Sequence, residues 1–505
     1  MNFKIHQSNG LFCCFVVATF ALPSLAGERE SFGFRVTRDR QVCDAPFTGR
    51  VLIMLSKEPV KEPPTGPNWF KPQPFFAKDV KDWNPGESIF LGSDSLSYPE
   101  PLSKLPPGVY YAQAIMDFGG GQSFAAADGN GYSAPVRFDR SASSPAVSLN
   151  IDLVFREQEF KETDRVKLVT LESKLLSSFH GRRAHMRAAV IVPESFAQDP
   201  SKRYPVIYSI PGFGGSHRVA LRDPRAAQRF ADAAGVEILY VVLDPRCPLG
   251  HHVFADSDNN GPWGKALVEE LIPHIEKQFR GIGEPTARFV TGHSSGGWSS
   301  LWLQVTYPDF FGGVWATAPD PVDFHVMQTI DIYKSGANFF WDENHQPRPL
   351  ARNGAQPVIF MKQFSDMEVV MGHGGQLGSF EAVFSPRAKD GKPRELWNRQ
   401  TGEIDPEVAK SWQRYDIKLI LEQNWKTIGP RLAGKLHVYC GGQDTFYLEG
   451  AVASLKQTLA SLGSDAMVEV VPGRDHRTLM DQPMRQRVAK EMAQQLEKHY
   501  AARRK

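Results

Sequence analysis

Residues 287–298 read Ala-Arg-Phe-Val-Thr-Gly-His-Ser-Ser-Gly-Gly-Trp. This stretch predicts the fold more directly than any other part of the chain. An apolar run ends in Gly-x-Ser-x-Gly and a potential helix follows, which predicts a strand, a tight turn and a helix. Gly292 and Gly296 let strand and helix approach the turn, and Ser294 is expected at its apex. The N-terminus of the following helix would stabilise negative charge beside the hydroxyl. The stretch predicts a nucleophilic serine, with an ordinary glycine-rich turn as the alternative.

Length and composition limit the class of protein. The chain has 505 residues, more than one typical domain. With 41% hydrophobic and 23% charged residues it is expected to be globular, with ample material for a core. The formal net charge is only +2, and no long basic run precedes residues 503–505. Nucleic acid is therefore not an expected partner.

Residues 1–26 have the features of a secretory signal. Lys4 supplies a positive start, residues 11–22 are apolar apart from Thr19, and small residues occupy positions 24 and 26. The apolar run is shorter than the roughly 20 residues that a membrane span needs. We therefore expect a cleaved signal, no stable membrane insertion and a secreted or periplasmic mature chain. A short membrane anchor is the alternative.

No metal or cofactor is expected. Outside the signal, Cys43, Cys247 and Cys440 show no paired metal-binding spacing, and they are predicted to be buried thiols, with a Cys247–Cys440 bridge left open. The acidic stretch at residues 256–261 lacks the glutamate that an EF-hand has at its twelfth position. The His251-His252 pair has no third ligand in register.

Residues 27–155 are predicted to form a small all-β sandwich that precedes the rest. Short β-like runs alternate with connections rich in proline, and the eleven prolines in residues 59–107 exclude long helices. The aromatic residues of this part are predicted to fill its core, and a sugar-binding face is the alternative. They are Trp69, Phe70, Phe75, Phe76 and Trp83.

From residue 156 to 505 strand and helix patterns alternate, which predicts a doubly wound α/β sheet. Apolar runs predict strands, and residues 263–279 carry large apolar side chains at every fourth position, as an amphipathic helix does. More than a hundred residues separate the strands predicted at 313–317 and 436–440. This interval is too long for a loop, so residues 320–432 are predicted to be an inserted lid or pocket wall. A stabilising insert remote from the site is the alternative.

A serine nucleophile needs a base and an acid, which follow it in the order serine, acid, histidine in α/β-hydrolases. Asp444 comes after the penultimate predicted strand and His476 after the last, at the edge where Ser294 is expected. They are the predicted acid and base. Asp444 as a helix cap and His476 as a surface histidine are the alternatives. The rival acids are Asp320, Asp323 and Asp475.

An oxyanion intermediate needs two backbone N–H donors. Ser295, directly after the nucleophile, is predicted to supply one. Phe213, in the Gly-Phe-Gly loop at residues 212–214, is predicted to supply the other, because its glycine neighbours allow close approach to a substrate. A plain turn after a strand is the alternative for this loop.

Several motifs in order resemble the putative-esterase family of α/β-hydrolases, over roughly residues 160–500. They are residues 211–215, 260–264, 270–273, 292–297 and 442–448. The family includes feruloyl and acetyl esterases, S-formylglutathione hydrolase, enterochelin esterase and mycolyltransferases. The resemblance implies a serine hydrolase of carboxylic esters, acting on a small-molecule or polysaccharide-linked ester through Ser294, Asp444 and His476. An acyltransferase or peptidase on the same triad, and a non-catalytic carbohydrate-binding protein, are the alternatives. The long insert departs from the smaller members of the family, which leaves the substrate open.

Overall fold

The computed structural model describes residues 32–60, 66–119, 127–141 and 145–503. The predicted secretory signal lies outside these ranges. Within them, no helix combines the length and the apolar character that crossing a membrane requires.

The N-terminal part is all-β, as predicted. Nine strands in its described residues belong to one hydrogen-bonded sheet. The sheet folds over its own core: the rings of Phe34 and Phe76 stack at 6.0 Å although their strands are not neighbours in the sheet. The two halves of the predicted sandwich are thus joined by continuous hydrogen bonding. The strands are Phe34–Arg38, Phe47–Ser56, Phe75–Trp83, Ile89–Leu91, Leu96–Tyr98, Gly108–Asp117, Gly131–Ser133, Val136–Arg140 and Val147–Val154.

An eight-stranded sheet forms the second part and confirms the predicted α/β-hydrolase class of fold. When neighbouring strands are taken in their spatial order across the sheet, the first two pairs are antiparallel and the remaining pairs are parallel. Parallel strands are buried on both faces, which explains their nearly continuous apolar sequences. In spatial order the strands are Val166–Glu172, His185–Ile191, Leu239–Leu243, Val206–Ile210, Arg288–His293, Gly313–Thr317, Leu436–Gly441 and Met467–Val471.

Helices connect these strands. The amphipathic helix predicted at residues 263–279 is interrupted by a wider turn at Leu267–Leu271. Pro273, two residues after this turn, has no N–H to donate to the helix. A wide turn accommodates the backbone hydrogen bond that proline cannot make. The helices outside the insert are Lys174–His180, Val219–Arg222, Ala226–Ala234, Trp263–Ala266, Ile272–Gln278, Ser295–Thr306, Glu449–Ser461 and Gln482–Arg503.

The segment predicted as an insert contains one β-hairpin and four helices. Glu368 joins two of these helices, because its carboxylate accepts the N–H groups of Leu377 and Gly378, each at 2.9 Å. The N-terminal sheet contacts this segment through Arg50, which donates to the carbonyl of Val370 at 3.1 Å. The elements are Pro349–Asn353, Gln356–Phe360, Met361–Met371, Gln376–Phe384, Pro406–Trp412 and Ile417–Leu432.

The three cysteines in the described part of the chain do not pair. Cys247 and Cys440 are buried free thiols, and Cys43 is a free thiol that is half-buried. The bridge left open by the sequence is therefore not formed. Burial raises the pKa of Cys247 to about 12, so this thiol stays protonated and unreactive at neutral pH.

A buried ion pair anchors the strand that leads to the predicted nucleophile. Arg288, the first residue of that strand, donates to both carboxylate oxygens of Glu276 at 2.6 and 2.9 Å. Tyr208, on the neighbouring strand, donates to the same carboxylate at 3.2 Å. Removing one member of such a pair leaves an uncompensated charge in the interior.

We expect Glu276→Ala to lower the free energy of unfolding by about 3–5 kcal/mol, the usual loss when one partner of a buried ion pair is removed. Urea denaturation followed by tryptophan fluorescence measures the change. The control is Glu172→Ala, which breaks an exposed ion pair with Arg183 and should give no resolvable change. Equal effects of the two substitutions would contradict the anchoring role of Glu276.

Candidate active site

Ser294 sits in a strained turn between strand and helix. Its φ of 60° and ψ of −127° are unusual for a residue with a side chain. Gly292 and Gly296 make the turn possible. A Cβ on Gly296 would lie 1.9 Å from the carbonyl oxygen of Ile210, and one on Gly292 would lie 2.1 Å from the carbonyl oxygen of Gly296. No other residue type fits either position.

The backbone of Ser294 is held on both sides. Its N–H donates to the carbonyl of Thr317 at 3.0 Å, and its own carbonyl accepts the N–H of Trp298 at 3.0 Å. The helix Ser295–Thr306 starts at the next residue, so the first N–H groups of this helix have no partner within it. The position of Ser294 is therefore fixed by the neighbouring strand and the helix.

His476 and Asp444 are brought together. The Nδ1 atom of His476 lies 2.8 Å from the Oδ2 atom of Asp444, whose side chain is fully buried. The other carboxylate oxygen accepts the N–H of Phe446 at 2.9 Å, which fixes the carboxylate in place. The ring of Phe446 packs edge-on against the imidazole, with the centroids 4.9 Å apart. The arrangement holds the ring of His476 in one orientation.

The three rival acids have other partners. Asp323 accepts from the hydroxyl of Ser454 at 2.6 Å, and Asp475 accepts the N–H of Thr478 at 2.7 Å. Asp320 is buried beside the nucleophile, and its carboxyl bonds to Ser295 and Gln376. Among the described residues, His476 has a direct carboxylate partner only in Asp444.

The predicted oxyanion loop lies directly against Ser294. A Cβ on Gly212 would lie 3.1 Å from the Cβ of Ser294, a tight contact, so a residue without a side chain suits the position where the loop meets the nucleophile. His251 holds the start of this loop: its Nε2 donates to the carbonyl of Pro211 at 2.9 Å and its Nδ1 accepts the N–H of Val253 at 3.1 Å. These two bonds define a neutral histidine.

A cavity of about 270 Å³ opens at Ser294 and His476. Its walls are mostly apolar, and most of them come from the inserted segment and the loop after Asp444. Within the described ranges, no cluster of three or more His, Cys, Asp or Glu side chains could hold a metal. Besides Ser294 and His476, the lining consists of Trp69, Gly212, Phe213, His293, Asp320, Pro321, Gln328, Leu350, Phe364, Gln376, Leu377, Phe380, Phe446 and Leu448.

Trp69 is the residue of this cavity whose role the sequence did not indicate. Its ring contacts Phe213 and Phe364, with centroids 5.5 and 4.9 Å away. It thus links the N-terminal part to both the oxyanion loop and the insert. The five aromatic residues considered together in the sequence do not form one face: Phe75, Phe76 and Trp83 are buried, whereas Phe70 is 47% exposed. A proline-rich connection gives no sequence signal for such a contact.

Comparison with known proteins finds a family profile that matches part of the chain. Residues 182–419 match the profile of the family described as "Putative esterase". The match confirms the resemblance predicted from the motifs and the predicted class of enzyme, a carboxylic-ester hydrolase. The matched region contains Ser294 and ends before Asp444 and His476. No curated protein matches the chain.

Solved structures with a similar fold include esterases. A ferulic acid esterase is 16% identical, covering 66% of this chain and 98% of its own, with a TM-score of 0.40. An S-formylglutathione hydrolase from Agrobacterium tumefaciens is also 16% identical, covering 66% and 95%, with a TM-score of 0.40. A ferulic acid esterase from Anaeromyces mucronatus, solved with ferulic acid, is 15% identical, covering 67% and 92%, with a TM-score of 0.33. At these scores the likeness carries no argument about substrate.

The neutral state of His251 leads to a prediction about acid stability. Burial lowers the pKa of His251 from its ordinary 6.5 to about 4. Between these values the unfolded chain binds a proton that the folded protein does not, so stability falls as the pH drops from 6.5 to 4. We expect His251→Leu to lose this contribution. Between pH 6.5 and 4, the free energy of unfolding of the variant should change by about 1.4 kcal/mol per pH unit less than that of the parent protein.

Urea denaturation at pH 7, 6, 5 and 4.5 measures this slope. The matched control is His274→Leu, which replaces an exposed histidine. An unchanged slope in His251→Leu would contradict the neutral, buried state of this residue.

Proposed function

We propose that the protein hydrolyses carboxylic esters through a Ser294–His476–Asp444 triad and an acyl-enzyme. The observation that carries the proposal is the 2.8 Å contact between His476 Nδ1 and Asp444 Oδ2, at a cavity that Ser294 also lines. Ser294 in its strained turn supplies the nucleophile. The family match of residues 182–419 supports the same chemistry.

In the first half of the reaction, Asp444 accepts the Nδ1–H of His476 and leaves Nε2 free to act as a base. His476 Nε2 takes the proton of the Ser294 hydroxyl while its oxygen attacks the ester carbonyl carbon. The carbonyl oxygen becomes an oxyanion, which the N–H groups of Ser295 and Phe213 stabilise. The tetrahedral intermediate collapses, the C–O bond to the alcohol breaks, and the imidazolium donates its proton to the leaving alcohol.

In the second half, water replaces the alcohol. His476 removes one proton from the water molecule, and the resulting hydroxide attacks the acyl carbon of the Ser294 ester. The second intermediate collapses, the C–O bond to Ser294 breaks, and the proton on His476 returns to the serine oxygen. The products are a carboxylic acid and an alcohol, and the enzyme is regenerated without a cofactor.

The proposal extends to the location and organisation of the chain. The apolar run at residues 11–22 supports export as a secreted or periplasmic enzyme after cleavage of residues 1–26. The change from all-β to alternating strands and helices supports a division into an N-terminal domain at 27–155 and a catalytic domain at 156–505. The substrate would be an ester with an apolar part that fits the cavity, either free or attached to a polysaccharide.

Activity on a p-nitrophenyl acyl ester tests the triad. We expect Ser294→Ala to lower kcat at least about a thousandfold, because the attacking oxygen is gone. Asp444→Asn should lower it by about 10³–10⁴-fold, because the amide no longer favours the productive tautomer of His476. The matched control is Asp475→Asn, next to the base, whose carboxylate bonds to Arg477 and Thr478. A control as inactive as Asp444→Asn, or a Ser294→Ala variant as active as the parent, would reject the assignment.

Removal of Trp69 tests whether the N-terminal part completes the substrate cavity. We expect Trp69→Ala to raise KM for a p-nitrophenyl octanoate substrate at least about fivefold, because a large apolar wall is lost. The matched control is Phe70→Ala, whose ring is 47% exposed and does not line the cavity. Steady-state kinetics on both variants measure the difference. Equal KM values in the two variants would show that Trp69 does not contact the bound ester.

A further inference from the structure

Two residues that line the cavity each carry a buried acceptor atom with no hydrogen-bond partner among the described residues. These atoms are Oδ2 of Asp320 and Oε1 of Gln328. Their side chains are 7% and 9% exposed, and both line the cavity that contains Ser294. A buried acceptor without a donor is unfavourable, and most such groups in folded proteins have a partner. Two such acceptors on residues of one substrate cavity therefore indicate that a bound molecule donates the missing hydrogen bonds.

Asp320 lies beside the nucleophile, and its Oδ2 atom has no hydrogen-bond partner among the described residues. Its N–H donates to the carbonyl of Ser294 at 3.3 Å, which places it next to the nucleophile. Its carboxyl bonds to the side chains of Ser295 and Gln376, and these two side chains contact each other at 3.3 Å. Oδ2 is left without a protein partner in a cavity whose neighbouring walls are apolar. Burial raises the pKa of Asp320 to about 6, as expected for a carboxylate with too few donors.

The proposed reaction does not use either side chain. Asp444 already orients His476, and the N–H groups of Ser295 and Phe213 face the oxyanion in the proposed mechanism. A carboxylate would repel an oxyanion, so Asp320 cannot assist there. Two hydrogen-bond acceptors in an apolar cavity can favour ligands that carry a hydrogen-bond donor over ligands that lack one.

We propose that Asp320 and Gln328 determine specificity by accepting hydrogen bonds from a hydroxyl or protonated amine on the part of the ester held in the cavity. The inference rests on the proposed ester hydrolysis. An ester with such a donor satisfies an acceptor that an ester without it leaves buried and unpaired in the complex. A site built on hydrogen bonds rejects the analogue that lacks the donor, often by several orders of magnitude.

Two matched series of esters test this selection. On the acyl side they are the methyl esters of hexanoic, 6-hydroxyhexanoic and 6-aminohexanoic acid. On the alcohol side they are hexyl acetate and 6-hydroxyhexyl acetate. Acid release at constant pH gives kcat/KM for each ester. We expect the parent enzyme to prefer a donor-bearing ester over its plain partner at least about tenfold in one of the two series.

Variants then assign the preference to the acceptors. In Asp320→Leu and Gln328→Leu, the ratio of kcat/KM for the donor-bearing ester to kcat/KM for its plain partner should fall at least about fivefold. A purely structural role would instead lower kcat/KM for all esters alike. Asp320→Asn separates the two donors: a hydroxyl can also accept a bond from the amide, so its preference largely persists, while a protonated amine loses its preference. The matched control is Thr329→Val, which removes a buried unpartnered oxygen that does not line the cavity. Thermal unfolding of each variant verifies that it is folded.

The outcomes separate this inference from the proposed function. Activity on the plain esters that depends on Ser294, with no preference for donors in either series, would overturn the specificity role and leave ester hydrolysis standing. A preference that survives in both leucine variants would overturn it as well. A parent that cleaves none of the esters, at the same background rate as Ser294→Ala, would reject the proposed function and the inference with it.

Discussion

The close approach of Gly296 to the carbonyl oxygen of Ile210 is the contact on which the site depends. A Cβ at this position would lie 1.9 Å from that oxygen, so strand and helix meet here only through glycine. Ser294, next to this contact, adopts a positive φ of 60°, a conformation that by itself costs on the order of 1–3 kcal/mol. The hydrogen bond from Ser294 to Thr317 and the buried pair of Arg288 and Glu276 hold the strained turn in place.

A parallel sheet explains how distant residues reach the same site. The strands that carry Ser294, Asp444 and His476 at their carboxyl ends all end at one edge. Asp444 and His476 follow neighbouring strands, Leu436–Gly441 and Met467–Val471, and their side chains meet at 2.8 Å. The sheet therefore places the proposed acid and base at one edge, and Arg352 of the insert also donates to the backbone carbonyl of Asp444 at 2.9 Å. The insert and the N-terminal part shape the cavity, and only the cavity can discriminate between esters.

The proposed roles of the cavity residues depend on three separate parts of the chain. Trp69 comes from the N-terminal part, Phe213 from the loop after a central strand, and Phe364 from the insert, and their rings touch. Asp320 and Gln328 lie where the insert begins. A change in any one part alters the shape or polarity of the cavity while the sheet edge stays the same. In the proposed function, substrate choice and catalytic chemistry thus depend largely on different elements of one fold.

The strands of the catalytic sheet were predictable from the sequence because parallel strands are buried on both faces and appear as short apolar runs. The turn at Ser294 was predictable because only glycine fits beside it, and the order serine, acid, histidine favoured Asp444 and His476 as its partners. Sequence alone could not exclude Asp320, Asp323 and Asp475 as the acid, because all four carboxylates follow strands or turns near the same edge.

Only the tertiary structure decided which carboxylate meets His476, that Trp69 reaches the cavity, and that Asp320 and Gln328 each keep a buried oxygen without a partner. The physical reason is that these facts are distances between side chains far apart in the chain. Local patterns of hydrophobicity and glycine determine where elements begin and end, whereas the packing of distant segments determines which side chains meet.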